Sequence, residues 1–403
     1  MKVHIISNLF APDELAGASL YTDLALFLQS RAHDVRVTTT FSYYPAWKLK
    51  PEDDGVAVRE ESFSGIPIRR ISMYVPKRPT GATRLFSDIS FLYSLILRGR
   101  FRRWNPDVIV TAVPMLSQSL ALRFINFGRA VPSLIIVQDF VVEAALELGI
   151  IKVPGLENVL RGVQRWALRS AQTLVTISPQ MHSKLENIVG GDRRTLFLPN
   201  WIHGSLQAKI DQQKPDESKR AQQRLFYAGN LGVKQGLPEF LEIYSQTNAI
   251  EQGWKLDIHG GGAERSRLAE TVNRIPGCNL GDVLDEDRYI EAMLGCTACL
   301  ITQRSGVGAN FLTSKLLPAM ATGTPVLAVC DRNSPLAREV LEGGFGEVVP
   351  PGDPSALADV LRQWQTAPEK LVRFGLNASA RAKIYHRDKV LNQYLAELCQ
   401  LTN

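Results

Sequence analysis

The chain has 403 residues, 45% of them hydrophobic and 21% charged, which is ordinary for a soluble globular protein and too long for a single growing core. Its balance of 46 − 40 = +6, with a pI near 9.0, is too weak to argue for nucleic acid and suits anionic substrates or an anionic membrane surface. The opening MKVHIISNLF lacks the features of a secretory signal, and the most apolar short run, near Phe91 to Leu97, falls far short of the roughly 20 residues needed to cross a bilayer.

The first half alternates short runs rich in Val, Ile and Thr with helical patterns. VHIIS, VRVTTT, IPIRRIS, DVIVTA, SLIIVQ and TLVTIS read as strands. Between the first two, Ala18 to Ser30 sets Leu20, Leu24, Phe27 and Leu28 on one helical face. Such alternation, with continuously apolar strands, implies a parallel sheet covered on both sides. The loop from Ser7 to Gly17 carries no GxGxxG, so a dinucleotide fingerprint is absent; Gly17 lies near a helix start, where backbone N–H groups attract anions.

In residues 84–104, Leu85, Ile89, Leu92 and Ile96 recur at helical spacing and are followed by Arg98, Arg100, Arg102, Arg103 and Trp104. This pattern suits a peripheral membrane contact or, equally, a core helix with a solvated basic end. Asp139 ends the strand SLIIVQ, at the sheet edge where α/β sites gather, with Glu143 four residues on as a weaker acceptor-side candidate.

Residues 204–223 are polar and charged and read as a solvated linker. The alternation then restarts with RLFYAG, WKLDIHG, CNLGDV, ACLIT, PVLAV and GEVVP. The chain therefore divides into 1–203, the linker, 224–367, and a helical tail over 368–403 expected to cross back to the first domain. Two doubly wound domains place the default site in the cleft between them.

Three glycine loops follow strands of the second half. Gly229, Gly232 and Gly236 accompany Lys234; Gly260 and Gly261 lie in HGGG; and the stretch from Gly306 leads through Asn310, Thr313, Ser314 and Lys315 into a short helix. Glycines let backbone approach a ligand, and lysines supply point charges for phosphate. Proline is tolerated in the first turn of a helix, so Pro318 predicts that this helix begins near Lys315 or is bent there.

Other motifs receive plainer readings. Asp285-Glu286-Asp287 resembles a metal–diphosphate motif but reads as an acid-rich helix start, so no metal is expected. Five cysteines without a secretory signal argue against a disulfide framework, and Cys296-x-x-Cys299 runs into a strand as buried thiols. Of six histidines, only His203, at the hinge, is placed near substrate.

As an ordered set, AGNLGVKQGL, HGGGAERSRL, LGDV, NFLTSKLLPAMATGTPVLAV and VVPPGDPSALADVL resemble the nucleotide-binding half of family 4 retaining glycosyltransferases. PDELAGASLYTDLALFLQSRAHDVRV, IIVQD and LPNW extend the likeness to the first half, with the flavour of the colanic-acid and O-antigen subgroup that builds bacterial surface polysaccharide. The resemblance implies the GT-B fold, two doubly wound Rossmann-like α/β domains facing a cleft. It implies transfer, with retention, of a sugar from a nucleotide donor, most often a UDP-sugar, to a saccharide or lipid-linked acceptor. It places Gly17, Gly229, Asn230, Gly260, Gly261, Val283, Arg304, Asn310, Phe311, Thr313, Ser314, Leu316 and Leu317 around the donor, and Lys315, Lys234 and Asp139 at the reacting centre. Glu143 and His203 fall on the acceptor side, and the setting implied is the cytoplasm, at the inner face of the membrane.

Three departures from the family pattern stand out. The two acids that usually flank the nucleotide site are Asn310 and Pro318 here; the usual arginine after Gly229 is Asn230; and the usual lysine of the same loop falls on Gln235, beside Lys234. A retaining transfer in which the departing diphosphate takes the acceptor's proton needs cations and N–H groups rather than a base. The rival readings are a nucleotide-sugar 2-epimerase on the same fold, and a non-catalytic nucleotide-sugar binder.

Overall fold

A strand that is apolar at every position can be buried only if both faces of its sheet are covered. VIVTAV and SLIIV come close to this condition, with every residue buried, Thr111 and Ser133 included. The computed structural model describes all residues except 14–15, 45, 79, 114, 127–129, 148–154, 214–219, 221, 307–312 and 403. Its contacts divide into one unit of Met1–Asn200 with Asp388–Asn403, and a second of Trp201–Arg387.

The first unit holds β1 (Lys2–Ile6), β2 (Asp34–Thr40), β3 (Val58–Phe63), β4 (Ile66–Ile71), β5 (Val108–Val113), β6 (Ser133–Val137), β7 (Thr173–Thr176) and β8 (Arg194–Phe197). They form one sheet in the order β3-β4-β2-β1-β5-β6-β7-β8, parallel throughout except for the β3–β4 hairpin at one edge. Its helices include α1 (Ala16–Ser30), α2 (Gly81–Arg98), α3 (Leu116–Ile125), α4 (Val141–Glu147), α5 (Leu156–Leu168) and α6 (Pro179–Val189). Local chemistry sets their starts. Thr80 caps α2 in a reciprocal capping box with Thr83, and Ser178 caps α6 with Pro179 in its first turn.

The second unit opens with α7 (Gly204–Asp211) and continues through β9 (Arg224–Ala228), α8 (Leu237–Ser245), β10 (Lys255–His259), α9 (Arg265–Val272), β11 (Cys278–Gly281) and α10 (Glu286–Gly295). Then come β12 (Ala298–Thr302), α11 (Leu316–Ala321), β13 (Val326–Val329), α12 (Pro335–Gly343), β14 (Gly346–Val349), α13 (Pro354–Thr366) and α14 (Pro368–Ala382). The sheet is parallel, ordered β11-β10-β9-β12-β13-β14. Alternate residues of β9 feed its two cores: Leu225 and Tyr227 join one, and Phe226 the other. Chain order reverses between β9 and β12, so their carboxyl ends make the topological switch point where doubly wound sheets bind ligands.

The stretch 204–223, expected as a solvated linker, is in part folded. His203 caps α7, which buries Leu206 and Ile210 in the second unit's core, and the Arg220 guanidinium donates to the carbonyls of Leu294 and Thr322. The tail also divides differently from the expectation. α14 stays with the second unit, burying Phe374 and Ala378, and only the final helix, α15 (Arg387–Thr402), lies in the first. There α15 buries Val390, Leu391, Tyr394 and Leu398, while Arg194 holds Glu397 at 2.8 Å. Leu391→Ala is expected to destabilise the first unit by about 2–5 kcal/mol. Urea unfolding followed by tryptophan fluorescence checks this, and an unchanged midpoint would show that α15 is a passive strap.

Candidate active site

The two glycine loops of the second unit ride backbone on backbone. Gly229 donates its N–H to the His259 carbonyl at 2.9 Å, and Leu231 donates to Gly261 at 2.9 Å. A Cβ on Gly260, which has φ +151°, would stand 1.9 Å from the Gly229 oxygen, so only glycine fits. Arg265 staples the loops after β10 and β11, donating to the carbonyls of Gly260 and Gly281 and to the Asp282 carboxylate. Beside Gly261, Val283 is 65% exposed and offers an apolar ledge.

Gly229 has a second reason to be glycine. A Cβ there, at φ +138°, would fall 2.7 Å from Cε and 2.9 Å from Nζ of Lys315. The missing side chain is the space through which the Lys315 ammonium passes. That ammonium lies 5.0 Å from the Tyr227 ring centroid, a cation–π arrangement. Tyr227 in turn donates its hydroxyl to the Asn230 carbonyl at 2.7 Å, fixing the loop over the lysine. The residue keeps some contact with solvent. Even so, the protein packed around its ammonium pushes its pKa down to about 8, a shift that the nearby Cys299 opposes.

Lys315 is the residue just before α11, which begins at Leu316, so Pro318 sits in the first turn. The helix is short, and the N–H groups of Leu316 and Leu317 are turned toward the carbonyls of Thr313 and Ser314. Its dipole is correspondingly small, and side-chain charge must do most of the work. Two further cations share this end of the sheet. Arg304, after β12, donates its backbone N–H to the Lys234 carbonyl at 2.9 Å, and its guanidinium stands 3.7 Å from Glu239. Asn310 and Phe311 lie outside the described residues. The loop leading to them is tied down by Asp331, which accepts from the Ser305 hydroxyl at 2.8 Å and the Gly306 N–H at 2.7 Å.

In the first unit, Gly17 lies in the opening turn of α1, and a Cβ there would meet nothing within 4 Å. Asp139 follows the carboxyl end of β6 and is half-buried. The Glu143 carboxylate is taken up by the Gln164 carboxamide, at 3.0 and 2.9 Å from its two oxygens. That buried pairing ties Glu143 of α4 to α5.

His203 is engaged at a helix start. Its Nδ1 accepts from Leu206 N at 3.3 Å and caps α7, leaving the proton on Nε2, which stands 3.9 Å from Glu286. The Asp285-Glu286-Asp287 run is likewise engaged: Asp285 caps α10, and Lys209 pairs with Glu286 at 3.0 Å and with Asp287 at 2.8 Å. Among the described residues, no group of three or more His, Cys, Asp or Glu side chains could hold a metal ion.

Family models match both parts of the chain: a glycosyl transferase 4-like domain over residues 17–201, and glycosyl transferases group 1 over residues 222–366. The chain belongs to the glycosyl transferases these two models describe. The transferase is 26% identical over 421 residues to the putative colanic acid biosynthesis glycosyl transferase WcaI of Escherichia coli K12, covering 99% of this chain and all of the relative. It is 25% identical over 305 residues to the probable glycosyltransferase WbjE of Pseudomonas aeruginosa, covering 70% of each. Its fold matches that of sucrose-phosphate synthase from Thermosynechococcus elongatus with a TM-score of 0.78 at 17% identity, covering 100% of this chain and 99% of that one. The Anabaena protein HepE, solved with UDP, matches with a TM-score of 0.65 at 14% identity, over 99% of this chain and 100% of that one. The transferase therefore has the GT-B fold expected of it.

Residues the sequence reading left without a role include Tyr227, Arg265 and Asp331, which support the loops rather than line them. Only the ammonium form of Lys315 would attract an anion such as a diphosphate, and with a pKa of about 8 it is about nine-tenths charged at pH 7 and one-tenth at pH 9. Affinity for UDP is expected to fall about tenfold between those values, as pH rises through the lysine's pKa. Lys315→Arg, which stays charged, is expected to flatten the profile. Titration calorimetry across pH is the check, and a flat wild-type profile would place the diphosphate elsewhere.

Proposed function

We propose that this glycosyltransferase moves a sugar, with retention and without a metal ion, from a UDP-sugar to a hydroxyl of a saccharide or lipid-linked acceptor. The observation that carries this reading is the Lys315 ammonium, brought through the Gly229 gap to the switch point of the second sheet. A charge held in protein rather than in water is worth more to a developing anion. The bond from the sugar's anomeric carbon to the diphosphate breaks while the acceptor oxygen bonds to the same face. The acceptor's proton passes to the departing phosphate oxygen, so no protein base is consumed. Lys315 stabilises the diphosphate, and Lys234 and Arg304 add charge where β9 and β12 end.

The glycine loops give the donor close backbone approach, and Val283 supplies an apolar ledge for the base. With proline at 318 and asparagine at 310, the hydroxyls of ribose and sugar rely on Asn310 and on backbone groups near Thr313 and Ser314. Asp139 is proposed to stand near the donor sugar. UDP is favoured as the nucleotide because a fold relative was solved with it, and polysaccharide assembly because of the likeness to the colanic acid protein.

Incubation with a panel of nucleotide sugars separates the three readings. Release of UDP with a product of unchanged anomeric configuration supports the transferase; a converted donor sugar indicates the epimerase; binding without turnover indicates a degenerate site. Lys315→Ala is expected to lower kcat about 10²–10³-fold. A chelator is expected to leave the rate unchanged, and loss of activity restored by magnesium would overturn the metal-independent scheme.

A further inference from the structure

α2 is built the wrong way round for a helix that serves only to cover a sheet. Its inward face carries Ser87, Phe91, Ser94 and Leu95, all buried. Its outward face carries Leu85, Phe86, Ile89, Tyr93 and Leu97, each between 52% and 64% exposed. At 100° per residue these five fall within about a third of the helix circumference, a continuous stripe along most of a helix some 27 Å long. α3 packs beside both α2 and α5, so the three helices share one layer. α5 adds a second outward apolar set, with Val159 60% and Trp166 48% exposed. The Arg123 guanidinium lies 4.7 Å from the Trp166 ring centroid, keeping a cation beside that aromatic.

Charge distinguishes between the surfaces that could cover such a face. Lys77, Arg78 and Arg84 lie toward the start of α2, and Arg98, Arg100, Arg102 and Arg103 toward its end, against one acid, Asp88. The balance over residues 77–106 is 7 − 1 = +6, equal to the net charge of the whole chain. Asp88 is half-buried and accepts the Ser117 N–H at 3.1 Å, so it does not neutralise the stripe. A second copy packing on this face would set like charges against each other. An anionic bilayer offers what the face lacks, an apolar interior below and negative headgroups at both ends of the stripe. No helix among the described residues is long and apolar enough to cross a membrane, so contact through these helices would be peripheral.

We propose that the outward faces of α2 and α5 form a docking surface for an anionic lipid bilayer. The proposal is independent of the donor-site reading. Trp104, which the sequence pattern offered as the interfacial aromatic, is instead buried in the first unit, where it donates to Asp34 at 2.7 Å and packs edge-on with His4. Tyr93 and Trp166 take its place at the surface.

The test is sedimentation of the full chain with vesicles of phosphatidylcholine alone, or of phosphatidylcholine mixed with phosphatidylglycerol, at low and high salt. Binding is expected to the mixed vesicles only, and to weaken with salt. The double variant Ile89→Glu/Tyr93→Glu is expected to lower the partition coefficient at least about tenfold. Val372→Glu/Leu376→Glu, at exposed apolar sites on α14, serves as control and is expected to bind like the wild type. An unchanged melting temperature and far-UV circular dichroism spectrum establish that each variant is folded. Wild-type protein that ignores the mixed vesicles, or an α2 variant that binds them as well as wild type, overturns the proposal. So does a dimer in sedimentation velocity that this variant abolishes without any vesicle binding.

Discussion

An ammonium group cannot be surrounded by protein at the end of a sheet unless the backbone leaves it room and some group accepts its field. Lys315 meets both conditions through two residues of one strand-to-loop junction. Gly229 has no side chain where the lysine passes, and the Tyr227 ring lies under the charge. The rest of the second unit's site is arranged around that placement. The close contact of Gly260 on Gly229, the Arg265 staple and the Tyr227 hydroxyl on Asn230 all hold the first two glycine loops in register. Without them the gap at Gly229 would be a flexible turn rather than a fixed passage.

The family resemblance places acids at 310 and 318, where this chain has asparagine and proline. A carboxylate near a diphosphate orients hydroxyls but repels the phosphates, and removing it lowers the positive charge needed to hold the anion. Four of the carboxylates in this unit's loops and helix starts are already engaged. Asp331 secures the loop after β12, Asp282 is held by Arg265, and Glu286 and Asp287 share Lys209. At the strand ends the Arg304 guanidinium stands 3.7 Å from Glu239, so the Lys315 ammonium is the positive charge that the packing itself holds in place.

Much of the fold could be read from periodicity. All six strands of the second unit were expected, because each is a short apolar run between turn residues. The strands missed in the first unit, β3 and β8, are polar and half-exposed. β3 is held by cross-strand charge pairing, Arg70 with Glu61 at 2.6 Å, which leaves no hydrophobic alternation to detect. The linker was misjudged because two buried residues, Leu206 and Ile210, are too few to stand out in a polar stretch, although they suffice to fix one short helix. At the site, residue types were legible but mutual distances were not. Nothing in the local sequence shows that Gly229 vacates space for Lys315, since the two lie on different loops and meet only when β9 and β12 pair. The same limit applies to Glu143 and His203, whose partners, Gln164 and the Leu206 N–H, could not be read from the local sequence.

The passage of α15 back to the first unit bears on how the protein is made. The first sheet begins at Lys2, but the helix that completes its hydrophobic interior lies beyond the whole of the second unit. On the ribosome, the amino-terminal half must therefore wait, with the surface that receives Leu391 and Tyr394 uncovered, while the contiguous second half is synthesised and can fold. The half begun first is finished last, which makes its incomplete form the one most in need of chaperone protection.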